Sequence, residues 1–177
     1  DIVGLANNHI MDFGNEGLEQ TILSCKDSSI NICGAGKNLK EAQQITIVES
    51  CGLKIAYIAV AEHEFSIASK DRAGAAPLDP VDNTLQIESV RNEADLIFVS
   101  IHGGNEYFPF PRPNLRKLSR YFITRGADGV ICHHPHVPGS YEIYNNKPIV
   151  YSLGNLIFDR LNPPKDWNEG YAVNLKY

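Results

Sequence analysis

The sequence predicts an α/β protein, and three observations carry that prediction. Short apolar runs of strand character alternate with segments whose apolar residues recur at helical spacing. Two of the runs, Leu53 to Val60 and Asp95 to Ile101, are almost wholly apolar, as strands covered on both faces are. The chain has 177 residues, which suits one layered domain, and no internal repeat, low-complexity tract or linker divides it. A chain of this length buries roughly 70% of the surface its unfolded form exposes, enough for a core without staples.

The elements follow in order. The opening Asp1-Ile2-Val3-Gly4-Leu5-Ala6 reads as the middle of a strand and has no initiator Met. We read the chain as the C-terminal portion of a longer domain, lacking its first strands and any targeting signal. Leu18, Ile22, Leu23 and Cys25 give Asn15 to Lys26 a helical face. Ile30 to Cys33 is a short strand ending at Gly34-Ala35-Gly36, and Asn38 caps a short helix running to Gln43. Ile45 to Val48 and Leu53 to Val60 form a hairpin that turns at Cys51-Gly52. From Ala61 to Pro80 periodicity is lost and a long irregular loop is expected. Val81 to Asn92 is a helix, Asp95 to Ile101 a strand, and Pro113 to Arg125 a helix stopped by Gly126. Gly129 to Cys132 is the next strand, Tyr141 to Tyr144 and Pro148 to Leu153 a hairpin around Asn145-Asn146-Lys147, and Tyr171 to Tyr177 a last strand.

Composition narrows the function. Hydrophobic residues make up 43% and charged residues 21%, ordinary for a folded globular chain. Lys+Arg 16 against Asp+Glu 21 leaves a net charge of -5, which argues against a nucleic-acid binder. No apolar run approaches the roughly 18 residues of a membrane span. The 4 cysteines have neither metal-site nor disulfide-scaffold spacing, and Cys33 and Cys132 sit in apolar runs as buried thiols.

Five of the 6 histidines directly follow apolar strands: His9, His102, His133, His134 and His136. Ligand sites of α/β sheets lie beyond the carboxyl ends of strands, so these loops are expected to share one pocket. In Asn7-Asn8-His9-Ile10-Met11-Asp12-Phe13-Gly14, the Asn8 amide oxygen is a hard metal ligand. His9 is a proton donor that Asp12 holds in place. The competing reading is an Asn-rich turn that caps the following helix. In His102-Gly103-Gly104-Asn105-Glu106, His102 is a ligand, and Glu106 orients it or, with Asn105, touches substrate. In Cys132-His133-His134-Pro135-His136, Pro135 fixes φ in an extended stretch. His134 and His136 then aim at neighbouring metals about 3.5–4 Å apart, as in two-metal phosphoester hydrolysis. Gly154-Asn155 makes a tight turn against the metal loops. Glu62, His63 and Glu64 read as an exposed charged loop at the rim. A G-x-S-x-G elbow and a Walker loop are absent, and Glu62 with Glu106 is the sole carboxylate pair worth weighing for glycoside cleavage.

Four motifs together carry a resemblance. They are Leu5-Ala6-Asn7-Asn8-His9 with Asp12 and Gly14; His102 to Glu106; His133-His134-Pro135-His136-Val137; and Tyr151-Ser152-Leu153-Gly154-Asn155. In that order they resemble the CapA family of bacterial capsule and poly-γ-glutamate synthesis, which is similar in fold to calcineurin-like metallophosphoesterases. The resemblance implies an α/β/β/α layered sandwich. Metal ligands would be Asn8, His102, His134 and His136, catalytic residues His9 and Asp12, and substrate contacts Asn105, Glu106, His133 and Asn155. It implies two divalent ions of the Mn, Fe or Zn type, held weakly here because the family's strand-end Gly-Asp and Asn-Leu-Glu segments are not in this sequence. The glycine that commonly opens the last histidine loop is also not in place. The implied function is hydrolysis of a phosphoester or other anionic polymer linkage at the cell envelope. The alternative is a non-catalytic accessory that binds such a polymer or a capsule synthase subunit.

Overall fold

The computed structural model describes residues 1–62 and 65–176. Strand β1 (Ile2–Gly4) leads through a turn into α1 (Gly14–Asp27), then β2 (Asn31–Cys33) and the two-residue β3 (Ala35–Gly36). Helix α2 (Leu39–Ala42) is capped as expected, with Asn38 Oδ1 accepting the Glu41 amide at 3.0 Å. Strands β4 (Thr46–Ser50) and β5 (Leu53–Ala61) form the hairpin, turning through Cys51 and Gly52 at φ 52° and 79°. After β6 (Gly74–Ala75) comes α3 (Pro80–Val90), where Asp79 Oδ1 accepts the Val81 and Asp82 amides and proline opens the first turn. Then follow β7 (Leu96–His102), α4 (Pro113–Thr124), β8 (Gly129–His133), β9 (Tyr141–Tyr144) and β10 (Lys147–Val150). The last hairpin turns on Asn145 and Asn146, both left-handed at φ 50° and 61°, as a type I′ turn requires.

The six-stranded sheet has the order β4-β5-β7-β8-β10-β9. Its four central strands are parallel and the outer hairpins add an antiparallel strand at each edge. One face, through Ile58, Val60, Ile97, Val99, Ile101, Val130 and Cys132, packs on Ile87 of α3 and on Leu115, Phe122 and Ile123 of α4. On the other face, Ala59 and Ala61 meet Ala6 and Cys33 of the parallel β1-β2 ribbon. Beyond that ribbon Leu18 of α1 packs on Leu5 and Ala35. The order of layers is therefore helix, sheet, ribbon, helix. This is the expected mixed α/β sandwich, with its second sheet present as a two-stranded ribbon. Among the described residues no helix is long and apolar enough to cross a membrane.

Two expectations are corrected. Residues 171–176 form no strand. Their alternating Tyr171, Val173 and Leu175 suit a half-buried strand, but Val173 and Leu175 border a groove with Leu53, Ile55 and Phe98 without pairing to the sheet. The 61–80 segment, expected to be irregular, contains a short strand. Ser66, Ile67, Ala68 and the run Ala73 to Pro77 are buried, and β6 pairs antiparallel with β3. Small residues permit that burial: at Gly74, φ 155°, a Cβ would come within 2.2 Å of the Ser66 carbonyl oxygen.

Candidate functional site

Parallel strands β5, β7 and β8 end at one edge of the sheet, and the ribbon lays the end of β1 over it. His102 and His133 are register partners on adjacent strands, so their side chains leave the same face, the one that β1 covers. The turn after β1 is built locally. Asn7 Nδ2 donates to the Leu5 carbonyl at 3.0 Å and its Oδ1 accepts the His9 amide at 2.8 Å. Asn8 is left facing the sheet, and the buried Ser66 hydroxyl donates to its carbonyl at 2.5 Å. Helix α1 starts at Phe13 without a side-chain cap, so the asparagines are not spent on helix capping.

The polar atoms converge. Asn8 Oδ1 lies 2.9 Å from His102 Nε2, and His134 Nδ1 lies 3.2 Å from that same nitrogen. His134 and His136, with ring centroids 6.1 Å apart, join Glu106 in a group whose ligand atoms all fall within 4.8 Å of one another. His134 thus belongs to two adjoining clusters, one with Asn8 and His102, the other with Glu106 and His136. Burial, and secondarily the neighbouring histidines with His134 foremost, pushes the His102 pKa down to about 3. Burial also lowers that of His133. The His102 imidazole is therefore neutral at pH 7, the form that binds metals.

The third histidine loop departs from expectation in its backbone. It is not extended: His134 has φ 100° and His136 φ 61°. Left-handed non-glycine residues cost of order 1–3 kcal/mol each and persist only where surroundings over-determine them. Here the surroundings are identifiable. The Tyr107 amide donates to the Pro135 carbonyl at 2.8 Å. Asn155 Oδ1 accepts from His136 Nδ1 at 2.9 Å, while Asn155 Nδ2 donates to the carbonyls of His136 at 3.2 Å and Trp167 at 2.9 Å. Because an amide oxygen only accepts, the His136 proton is fixed on Nδ1 and its Nε2 lone pair stays available. Trp167 stacks on the His136 ring at 4.8 Å, and Phe158 sits 5.3 Å away.

The other assigned residues fall at the rim. His9 Nδ1 donates to Asp12 Oδ2 at 2.8 Å, with side chains 66% and 52% exposed. Asn105 is exposed, and its carbonyl accepts the Phe108 amide at 3.4 Å. Glu62 is not an exposed loop charge: its carboxylate accepts the Gly104 amide at 3.0 Å and pairs with Arg112. Gly103 makes this possible, since a Cβ there would lie 2.5 Å from the Glu62 Cγ and Cδ. His63 and Glu64 lie outside the described residues. Sequence reasoning missed Ser66, Arg112, Tyr107, Phe158 and Trp167. Only Trp167 carried a signal, as the single tryptophan of the chain.

Known proteins are similar to this chain in sequence and in fold. Residues 1–160 match the family model described as bacterial capsule synthesis protein PGA_cap. The capsule biosynthesis protein CapA of Bacillus anthracis is 33% identical over 165 residues, 90% of this chain and 40% of that protein. The PGA biosynthesis protein CapA of Bacillus subtilis (strain 168) is 36% identical over 163 residues, 90% of this chain and 43% of that one. This chain therefore spans less than half the length of either relative. In fold, it superposes on a candidate 5′-nucleotidase of Staphylococcus aureus, solved with alpha-ketoglutarate, at a TM-score of 0.59 and 13% identity; the match covers 87% of this chain and 32% of that one. The histidine loops, the Asn8 turn and the Gly154-Asn155 clasp all fall within the matched residues, and the chain belongs to the bacterial capsule synthesis protein PGA_cap family.

Proposed function

We propose that the chain carries a divalent-metal-dependent hydrolytic site acting on a phosphoester or another anionic linkage of a capsule or poly-γ-glutamate polymer. One observation supports this above the others: Asn8, His102 and His134, from three distant parts of the chain, meet within hydrogen-bond distance. The donor set fits a cation. It offers imidazole nitrogens, an amide oxygen and one carboxylate, a mixture suited to Mn, Fe or Zn. Asn8 and His102 would hold one ion and Glu106 and His136 a second, while His134, which lends a single lone pair, would complete one of the two.

When bound, such an ion supplies Lewis-acid polarisation of the scissile group and an acidified water. The chain's own residues do the rest. Asp12 accepts a hydrogen bond from His9 Nδ1, which leaves Nε2 as the atom to carry a proton to the departing oxygen. Asn155 holds the His136 ring, and His133 and Asn105 line the approach for substrate. The anionic envelope polymer, a synthase partner and a cell-envelope location belong to this same reading.

The test measures hydrolysis of bis-p-nitrophenyl phosphate with added manganese, alongside the metal content of the purified protein. We expect turnover that His134→Ala abolishes. Turnover untouched by His134→Ala would remove the enzyme and leave a binding accessory.

A further inference from the structure

We propose that Arg160, braced by Tyr107 and Trp167, binds an anionic group of the substrate beside the histidine cluster. The role of the neighbouring cluster rests on the metal-centred reading; the anion contact itself does not.

The chain has seven arginines, and Arg160 is the odd one. Arg91, Arg112, Arg116, Arg120 and Arg125 each pair with a carboxylate. Arg72 donates to the Ile67 carbonyl. Among the described residues Arg160 has no carboxylate partner, although Asp159 precedes it. Its guanidinium lies instead over Trp167, 4.9 Å from the ring centroid, and 5.9 Å from that of Tyr107. One terminal nitrogen donates to the Tyr107 hydroxyl at 2.9 Å.

A guanidinium has five N–H donors in a rigid plane, and ring contacts at its face leave the edge donors not used by the Tyr107 hydroxyl available. The side chain is already confined, so binding an anion there loses less rotamer freedom than at a loose arginine. Its loop is anchored as well. The Asn155 amide donates to the Glu169 carbonyl at 3.3 Å, the Tyr171 amide to Leu153 at 2.7 Å, and Trp167 Nε1 to the Phe158 carbonyl at 2.7 Å.

The two rings that brace Arg160 also flank His136, with centroids 4.8 Å away for Trp167 and 6.4 Å for Tyr107. The cation and the Glu106–His134–His136 group therefore share walls without sharing ligands. A substrate that used both would carry a second oxyanion next to the one at the cluster, as a diphosphate or a run of carboxylates does. Phosphate and carboxylate oxygens both match the guanidinium edge, and the experiment separates them.

Trp167 is the single tryptophan, so its fluorescence reports this corner of the molecule directly. The protein, kept in chelator, is titrated with inorganic phosphate and separately with di-γ-glutamate, with calorimetry alongside. We expect saturable binding of at least one probe, and the tighter one names the anion class. Arg160→Gln should weaken it about tenfold or more. Lys165→Gln removes the other cation of this loop, which makes no ion pair or ring contact among the described residues, and should leave affinity within about twofold. Binding of neither probe, unchanged affinity in Arg160→Gln, or an equal loss in Lys165→Gln each overturns the proposal. Because metal is withheld, a protein that binds anions through Arg160 but fails to hydrolyse would sink the metal reading and keep this one.

Discussion

Replacing Asn155 by alanine tests whether the turn after β10 serves the histidine cluster or only the fold. The side chain makes three hydrogen bonds, two to His136 and one to the Trp167 carbonyl. At about 1 kcal/mol each they sum to about 3 kcal/mol, and because the residue is half-buried, water replaces part of that. A loss of about 1.5–3 kcal/mol in urea unfolding is expected. The metal term is separate. Without Asn155 Oδ1 nothing in this contact fixes the His136 proton on Nδ1, and loss of such a supporting contact costs about 10–100-fold in metal affinity. Titrating the variant and the parent with Mn²⁺ or Zn²⁺ in the same buffer measures it. If stability falls while metal affinity stays the same, Asn155 is a loop clasp and the orientation argument is wrong. If neither changes, the hydrogen bonds themselves are in doubt.

Three further predictions probe the same corner and the far face. His134→Gly and His134→Ala both delete the imidazole, but only glycine tolerates φ 100°, so the glycine variant should unfold about 1 kcal/mol later than the alanine one. Equal stabilities would mean that residue 134 is not held left-handed. Gly103→Ala puts a methyl 2.5 Å from the Glu62 side chain and should cost about 1–3 kcal/mol by displacing the carboxylate from Arg112 and the Gly104 amide, an extra cost that should largely vanish when Gly103→Ala is made in a Glu62→Ala background. Glu142 is held at about 2, first by Arg120 against a burial cost, then by Arg116 and Tyr151. A carboxylate depressed in the folded state contributes stability fully above its unfolded pKa, and loses it as pH falls through the folded value. Glu142→Gln should therefore be about 2 kcal/mol less stable than the parent at pH 7, with the gap closing steadily below about pH 4.5. A gap independent of pH would remove the ion pairs from the account.

The parts of this molecule that were legible in its sequence are those where a local rule and the tertiary fold agree. Asn38 caps the helix it precedes, and Asn145-Asn146 turns the hairpin, because each effect is complete within a few residues. The convergence of Asn8, His102 and His134 was legible for a different reason: parallel strands deliver whatever follows them to one edge, so three loop positions translate into one place. What the sequence concealed needs partners from elsewhere. Tyr171, Val173 and Leu175 alternate like a strand, yet the period of two marks only a half-buried face and says nothing about whether the backbone joins a ladder; here Val173 and Leu175 border a groove instead. His134-Pro135-His136 reads as extended because proline restricts the residue before it to extended or turn backbone, a restriction that the contacts of Tyr107 and Asn155 override with both histidines left-handed. Glu62 looked like one charge in a solvated run until Arg112, fifty positions on, came to face it across a glycine that leaves room. The same separation explains why the place of Trp167 was not legible. Its contact with His136 is made by a segment whose ends are fixed at Leu153 and Tyr171, so the ring's place follows from that closure and not from any pattern around it. Strand ends set where the site is, and these long-range contacts set which atoms in it can act.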